Sequence, residues 1–536
     1  MSGIIVLGAA LRLAFIWDLP LNGEDMVSVL QATGHAADYP GHSLDGVTPM
    51  QQVRCLIDDD PRRSPIDVLR SMRFAGMHPP FYYLLLHYFI RFAGSAALPL
   101  KGLSVLFSLL SILCLYQLAR YLADERTALL AALLQALAGY DVWLAAQVRP
   151  YPLMMLLSLL TTWQAIRLHA DPPGGAVRPG SPRLYLYAAT VLAGLYALYH
   201  FLFVFLSQLV FLVTQHRSRR PIVALILVCL VVSAGYLPWL SGLRDQVHTV
   251  TAGDYYFHDK PDLIHFAADV SSLNCARFFR IPSLPLKAAI TLAFAVLAGL
   301  PALFGVVRLY RGRVHRPFLV ALVAYLVFYV AIEKALGVTS FHKPKMLFFV
   351  MPLLFFFLAH GLPRRTEWRT VVLAVLCAAL LANTLAACLR PAARLDGDEG
   401  YLRVFPTAVR QNVQPSQRAL LVVNTSARRY LLALAHALPR PVDTLVLPSG
   451  QVPLGLPTPE QVTSYDVILL ASLDTSYAER GFTPQQVQSF SQVFATAGFT
   501  PTQHYDTDYK PLPKTLVVFS RLAPPTPTAS PGPQVW

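Results

Sequence analysis

Two groups of chemically active residues stand out in a chain that carries few charges. Glu24 and Asp25 form an adjacent acidic pair, and a carboxylate can act as a general base toward a hydroxyl or an amine. The second group is basic and aromatic and comprises His78, Arg149, Tyr151, His200, Lys343 and Lys345. Arginine and lysine hold oxyanions such as phosphate. These residue types indicate proton abstraction beside a bound anion, provided that the fold brings the segments together.

The composition is that of a polytopic membrane protein. Of the 536 residues, 55% are hydrophobic and only 14% are charged, which is too apolar for an ordinary soluble enzyme. Repeated apolar runs of about 17–22 residues match the ~30 Å hydrocarbon core of a bilayer. The net charge of +14 would suit nucleic acid, but most arginines lie in short links between apolar runs, where they orient the chain. We therefore expect membrane lipids, and no nucleic acid, as partners.

The apolar runs predict about eleven membrane-spanning helices. They are expected near residues 3–19, 100–120, 127–144, 150–168, 184–200, 201–215, 221–242, 285–307, 317–334, 345–362 and 369–388. The first run lacks a small-residue cleavage site, so we interpret it as an uncleaved signal anchor.

The stretch 79–92 decides the orientation of these spans. It is only about 14 residues long, a length that favours a helix lying at the membrane surface over a span. If it does not span, every arginine-rich link falls on one side, which must be the cytoplasm. We therefore predict a multi-pass protein of the inner (plasma) membrane with a cytoplasmic N-terminus. The candidate residues and the C-terminus would then lie outside the cytoplasm.

The composition changes after residue 390. Strand-like runs alternate there with helical segments, a pattern typical of a small α/β domain. The strands are predicted at 444–447, 467–471 and 515–520, after a short apolar run at 419–424, and the helices at 426–438 and 483–498. The predicted domains are a helical membrane domain at 1–390 with a first outer loop at 21–99, an extracytoplasmic α/β domain at 391–523, and a disordered tail at 524–536.

Local patterns around the candidate residues occur in a characteristic order. They are Glu24-Asp25, His78-Pro79-Pro80 with Tyr82-Tyr83, Gln147-Val148-Arg149-Pro150-Tyr151, Tyr199-His200-Phe201, and Lys343 and Lys345 ahead of Pro352. By these motifs the first 390 residues resemble GT-C fold membrane glycosyltransferases. The resemblance is to the branch with protein O-mannosyltransferases and lipid A aminoarabinose transferases, whose bacterial members use polyprenyl-phosphate sugars.

The resemblance implies an enzyme that moves one hexose or pentose from a polyprenyl-phosphate donor to a glycan, lipid or protein acceptor by a direct, inverting displacement. It implies that Glu24 or Asp25 is the catalytic base. The residues implied in substrate binding are His78, Arg149, Tyr151, His200, Lys343 and Lys345, with the basic ones holding the departing phosphate and His78 orienting the first loop. The six cysteines have no metal-type spacing. No metal ligand is assigned and no cofactor is implied with certainty, although a divalent metal stays open.

Departures from the family pattern leave a second interpretation open. The family usually has Asp-Glu where this chain has Glu24-Asp25, so that Glu24 occupies the position of the catalytic aspartate. Gln147 stands where the family has an acid. The alternative is therefore a non-catalytic GT-C-like scaffold or a protein that binds lipid-linked glycans. A secondary transporter is disfavoured, because we find no internal repeat and expect no buried charge in the middle of a span.

Overall fold

The computed structural model of the protein divides into two compact units. It describes residues 1–36, 47–75, 78–170, 181–215, 219–252, 284–312, 316–335, 349–362, 367–389, 401–424, 428–440, 442–447, 457–472, 484–506 and 515–521. The membrane unit comprises Met1–Leu19, Ser28–Ala37 and Asp59–Arg394. The sheet unit comprises Pro20–Val27, Asp38–Asp58 and Leu395–Trp536.

Helices make up almost all regular structure of the membrane unit. In chain order the α-helices of the described residues are α1 (Ser2–Ile16), α2 (Gly23–Ala32), α3 (Met50–Cys55), α4 (Pro65–Ala75), α5 (Phe81–Ala93), α6 (Ala97–Leu122), α7 (Glu125–Leu137), α8 (Gly139–Ala145), α9 (Tyr151–Ala170), α10 (Pro182–Ala197), α11 (Phe201–Gln215), α12 (Arg219–Tyr236), α13 (Leu240–Ala252), α14 (Leu284–Arg311), α15 (Arg316–Ala335), α16 (Val350–Gly361), α17 (Glu367–Leu389), α18 (Tyr401–Asn412), α19 (Arg428–Ala437), α20 (Pro459–Val462) and α21 (Pro484–Thr496). Helices α3 and α18–α21 belong to the sheet unit, and α2 begins there.

The apolar helices identify a multi-pass membrane protein. By length and composition, five helices of the described residues are able to cross a membrane, or six if the bent pair α7 and α8 forms one span. Three further apolar helices are shorter, at Ser2–Ile16, Phe201–Thr214 and Val350–Gly361. The predicted number of about eleven spans is therefore not confirmed, although the helical membrane class is.

Helix α5 occupies the stretch that decides the predicted orientation. It has 13 residues, which makes it about 20 Å long and too short for a ~30 Å hydrocarbon core. Pro80 precedes its first residue and Gly94 ends it with a φ of 79°, a left-handed conformation that glycine adopts without strain. Tyr82 and Leu86 are buried, whereas Phe92 is 88% exposed. These features support a helix at the membrane surface.

One sequence-based expectation about the membrane unit is wrong. We expected no buried charge in the middle of a span, but Arg12 is buried in α1, in the middle of the predicted span 3–19. Asp141 is buried in α8, near the end of the predicted span 127–144. Lys101, near the start of α6, is buried as well. Hydropathy averages hide such residues because the surrounding side chains are strongly apolar.

The sheet unit contains the predicted α/β domain. Its described strands are β1 (Val47–Pro49), β2 (Ala419–Asn424), β3 (Asp443–Leu447), β4 (Val467–Ser472), β5 (Phe499–Asp506) and β6 (Thr515–Arg521), in the sheet order β1-β3-β2-β4-β6-β5. Strand β2 pairs in parallel with β3 and β4, and β6 pairs antiparallel with β4 and β5. Alternate residues such as Leu420 and Val422 bury one face of β2 against Phe490 and Phe494 of α21. The small C-terminal sheet is thus confirmed.

Strand β1 comes from the first loop, far from the rest of the sheet in sequence. It pairs antiparallel with β3, with Val47 opposite Leu445 and Pro49 opposite Asp443. The Met50 amide then donates to the Val442 carbonyl at 2.9 Å. Because strands of one sheet lie on the same side of a membrane, the first loop and the C-terminal domain share that side.

Candidate functional site

The acidic pair lies in the first turn of α2. The Asn22 side-chain oxygen accepts a hydrogen bond from the Asp25 amide at 2.7 Å, and Oδ2 of Asp25 accepts one from the Asn22 amide at 3.2 Å. This reciprocal pair is a capping box, which satisfies amide groups at a helix start. Asp25 is fully buried, whereas Glu24 is half-buried. The geometry gives Asp25 a structural role and leaves Glu24 as the more accessible carboxylate.

In the membrane unit, the structure brings three of the predicted substrate-binding residues together. Nη2 of Arg149 lies 3.2 Å from Nε2 of His78. The Arg149 guanidinium carbon also lies 5.9 Å from the centre of the Tyr151 ring, which is within range of a cation–π interaction. Arg149 is 9% exposed and Tyr151 is 1% exposed. We call His78, Arg149 and Tyr151 the arginine cluster.

Proline residues place the two halves of the arginine cluster at helix starts. Pro150 precedes α9, which begins at Tyr151, and Pro80 precedes α5. Proline suits this position because the first amides of a helix have no helical acceptor. The Pro150 carbonyl accepts from the Met154 amide, and the Pro80 carbonyl from the Leu84 amide, each at 2.9 Å. Arg149 and His78 therefore lie just outside two helices rather than within them.

Gln246 of α13 fixes the backbone beside His78. Its Nε2 donates to the carbonyl of Met72 at 2.6 Å and to that of His78 at 3.1 Å. Its Oε1 accepts from the Tyr199 hydroxyl at 2.6 Å, and that hydroxyl accepts from Trp239 Nε1 at 3.1 Å. This chain of hydrogen bonds joins α4, α13 and the turn between α10 and α11. Sequence reasoning missed Gln246, which belongs to no motif.

Stacking fixes the His78 ring on its other side. The rings of His78 and Tyr83 are nearly parallel, with 12° between their planes and 6.4 Å between their centres. The Tyr82 ring packs edge-on against Tyr83 at 5.4 Å. The Tyr82-Tyr83 part of the motif therefore orients the histidine that faces Arg149.

His200 occupies aromatic surroundings. Its ring packs edge-on against Phe203 at 5.8 Å and against Tyr329 at 5.4 Å. Its neighbour Tyr199 is the residue of this motif that connects through Gln246 to His78. A substrate-binding role of His200 stays a prediction.

The remaining predicted site residues are not described by the structure. Lys343 and Lys345 lie in the range 336–348, outside the described residues. Within the described part of the chain, no group of three or more histidine, cysteine, aspartate or glutamate side chains is placed to hold a metal ion.

Comparison with known proteins shows a similarity to sugar-transferring enzymes. Residues 77–239, which include the whole arginine cluster, match the family described as dolichyl-phosphate-mannose-protein mannosyltransferase. No curated protein matches the sequence significantly. The resemblance to GT-C membrane glycosyltransferases is confirmed.

Solved structures show which known fold the chain shares. The chain is similar to ArnT from Cupriavidus metallidurans in the apo state, with a TM-score of 0.55 and 14% identity over 96% of this chain and 98% of that chain. Two further structures have lower TM-scores. ArnT from the same organism bound to undecaprenyl phosphate has a TM-score of 0.39 and 14% identity over 96% of this chain and 97% of that chain. An Archaeoglobus fulgidus oligosaccharyltransferase tethered with an acceptor peptide has a TM-score of 0.46. Its sequence identity is 12%, over 81% of this chain and 63% of that chain. The ArnT apo structure establishes the shared fold.

Proposed function

We propose that this protein transfers one sugar from a polyprenyl-phosphate donor to an acceptor on the outer side of the membrane. The observation that carries the proposal is the arginine cluster, a largely buried guanidinium held by a histidine within the segment that matches a sugar-transferring family. The name of that family contains a sugar carried on a lipid phosphate, and a guanidinium binds such a phosphate with two parallel hydrogen bonds.

Arg149 is the donor-phosphate ligand in this proposal, and His78 orients it. A guanidinium has only donors, so His78 must accept through Nε2 and carry its proton on Nδ1. In this arrangement the histidine nitrogen is the acceptor and the Arg149 guanidinium is the donor. A guanidinium carries five N–H donors in a planar fork, so one arginine can contact a histidine and an oxyanion at the same time. Tyr151, under the guanidinium, limits its movement.

Glu24 is the proposed base. Asp25 already serves the capping box of α2, so its carboxylate is committed to the helix start. Glu24 precedes it by one residue, is half-buried, and stands where the family has its catalytic acid. This assignment narrows the sequence-based choice between the two acids to one residue.

The proposed reaction is a single displacement. The acceptor oxygen or nitrogen attacks the anomeric carbon while the bond from that carbon to the phosphate oxygen breaks. The acceptor proton passes to the Glu24 carboxylate, and the polyprenyl phosphate departs with one more negative charge than the phosphodiester had. Arg149 stabilises that growing charge, which lowers the barrier more than it stabilises the bound donor. Attack opposite the leaving group inverts the anomeric centre.

A release assay tests the proposal. Purified protein in liposomes is incubated with polyprenyl-phosphate sugars labelled in the sugar, together with envelope glycan, lipid or protein acceptors. We expect label in one acceptor class and an equal amount of free polyprenyl monophosphate. Tight donor binding without release of monophosphate from any donor would favour the scaffold interpretation instead.

A further inference from the structure

The membrane unit contains a helix broken inside apolar surroundings. Helices α7 and α8 meet at an angle of 62°, and Ala138 between them has an extended backbone with φ −67° and ψ 111°. A helix end leaves carbonyl groups without helical partners, and hydrocarbon provides no water to replace them. The break is therefore stable only if other groups donate to these carbonyls.

Arg12 supplies one of these donors at the end of α7. Its Nη1 donates to the Ala136 carbonyl at 3.1 Å, and its Nε donates to the Ser108 hydroxyl at 2.9 Å. The Thr384 hydroxyl donates to the next carbonyl, that of Leu137, at 2.8 Å. The carbonyl end of α7 is thus closed by side chains from α1 and α17.

Lys101 supplies the donor at the end of α8. Its Nζ donates to the Ala146 carbonyl at 2.8 Å, and the side chain is 1% exposed. Ala146 is the residue that ends α8 and comes three positions before Arg149. A cation at this end also complements the partial negative charge of helix carbonyls.

Asp141 is the third buried charged residue near the break, besides Arg12 and Lys101. It lies in the first turn of α8, is 1% exposed, and interacts electrostatically with Arg12. Neither of its carboxylate oxygens accepts a hydrogen bond from the residues that the structure describes. Buried ionisable side chains within a membrane are costly and usually have a specific role. Asp141 lies in the short helix that leads into the arginine cluster, Lys101 donates to the end of that helix, and Arg12 donates to the end of α7 before it.

We propose that Lys101 and Arg12 are positioning residues for Arg149. By closing the carbonyl ends of α8 and α7, they fix the direction in which residues 147–149 leave the broken helix. Arg149 is then held at hydrogen-bond distance from His78 before a donor arrives. The inference rests on the proposed role of Arg149 in phosphate binding, but its structural part is testable without that role.

The first test measures the backbone itself. Hydrogen–deuterium exchange is followed in Lys101→Met, Lys101→Gln and Lys101→Arg. Loss of a hydrogen bond from a charged group should speed exchange at the amides of residues 146–149 by about 10–100-fold in Lys101→Met, less in Lys101→Gln, and hardly in Lys101→Arg. Arg120→Met is the matched control, since Arg120 lies on the same helix but is exposed and paired with Glu125.

The second test uses binding of a polyprenyl monophosphate. Lys101→Met should weaken binding when Arg149 is present and change it little in an Arg149→Ala background, because Lys101 acts through Arg149. A general packing defect would weaken binding equally in both backgrounds.

The two tests separate this inference from the proposed function. Unchanged exchange at residues 146–149 in both Lys101→Met and Lys101→Gln would overturn the positioning role, as would equal losses in the two backgrounds. If the wild-type protein binds no polyprenyl phosphate, the proposed function fails and the exchange data alone decide. Local exchange restored by Lys101→Arg would then still support the positioning role. Lys101→Gln keeps the test open if Lys101→Met does not fold.

Discussion

Nη2 of Arg149 and Nε2 of His78 lie 3.2 Å apart, although 71 positions separate the two residues in the chain. The sequence places each beside a proline at a helix start, and the fold joins them. The contact turns two weak local motifs into one geometric feature, in which a histidine ring nitrogen lies at hydrogen-bond distance from an arginine.

Replacement of Arg149 should weaken donor binding. Arg149→Ala removes charge-assisted hydrogen bonds worth about 1.5–3 kcal/mol each, so that Kd for a polyprenyl-phosphate sugar should rise by at least the about 10–150-fold that one such bond contributes. Arg149→Lys should recover only part of the affinity, because lysine lacks the planar fork of donors. His78→Ala should cost about 2–10-fold and add little to Arg149→Ala.

Titration of a labelled donor analogue into detergent-solubilised protein measures these constants. Arg167→Ala is the control, since Arg167 lies on the neighbouring helix α9, is exposed, and stacks on Trp163 at 5.1 Å. Equal affinity of wild type and Arg149→Ala would remove Arg149 from the phosphate site.

Gln246 should affect both stability and donor binding. Gln246→Leu leaves the carbonyls of Met72 and His78 without this donor, and a buried unsatisfied group costs about 1–3 kcal/mol. We expect a lower thermal midpoint together with a weaker Kd for donor. Gln208→Leu is the matched control, because Gln208 also accepts from a tyrosine, Tyr187, and donates to two hydroxyls.

Both glutamine variants should lose stability, measured by thermal unfolding with an environment-sensitive dye. Only Gln246→Leu should lose donor affinity, since its partners include His78. An affinity loss of the same size in Gln208→Leu would mean that Gln246 acts through general packing.

The predicted orientation can be tested through an existing thiol. Cys55, in the first loop, is exposed, and the pairing of β1 with β3 puts this loop and the C-terminal domain on one side. In a chain whose other cysteines are serine, an impermeant maleimide should label Cys55 from outside intact cells. Glu460→Cys, in a chain that also carries Cys55→Ser, should be labelled from outside intact cells as well. Gly312→Cys should react only after permeabilisation, and its labelling in intact cells would reverse the topology.

Local patterns predicted the features that depend on neighbouring residues. Short apolar runs predicted buried strands at 444–447 and 467–471, and these residues lie in β3 and β4. The short apolar stretch 79–92 likewise predicted a short helix, which the structure has as α5. The sequence shows the acidic pair, but only the structure shows that Asp25 exchanges hydrogen bonds with Asn22.

Long-range contacts could not be predicted in this way. Strand β1 has three residues, too few for a periodic signal, and its pairing with β3 joins positions almost 400 residues apart. Gln246 is a lone polar residue in α13 whose partners lie about 170 positions earlier. Lys101 resembles a flanking charge of an apolar run, and Arg12 a lone charge inside one, until the break between α7 and α8 shows the carbonyls that they satisfy.

Sugar transfer with Glu24 as the base can be tested by two conservative substitutions in the acidic pair. Glu24→Gln keeps the size of the side chain and removes its basicity, so transfer should fall by about 10²–10⁴-fold while donor still binds. Asp25→Asn keeps an oxygen that can accept from the Asn22 amide, so it should retain the helix cap and most of the activity.

The most direct measurement compares these two variants with wild type in one transfer assay, at matched protein levels, with labelled polyprenyl-phosphate sugar in liposomes. We expect loss of transfer in Glu24→Gln alone, with donor affinity unchanged. Loss of transfer in Asp25→Asn alone would mean that Asp25, and not Glu24, is the base. Normal transfer by both variants would contradict the claim that this acidic pair supplies a catalytic base.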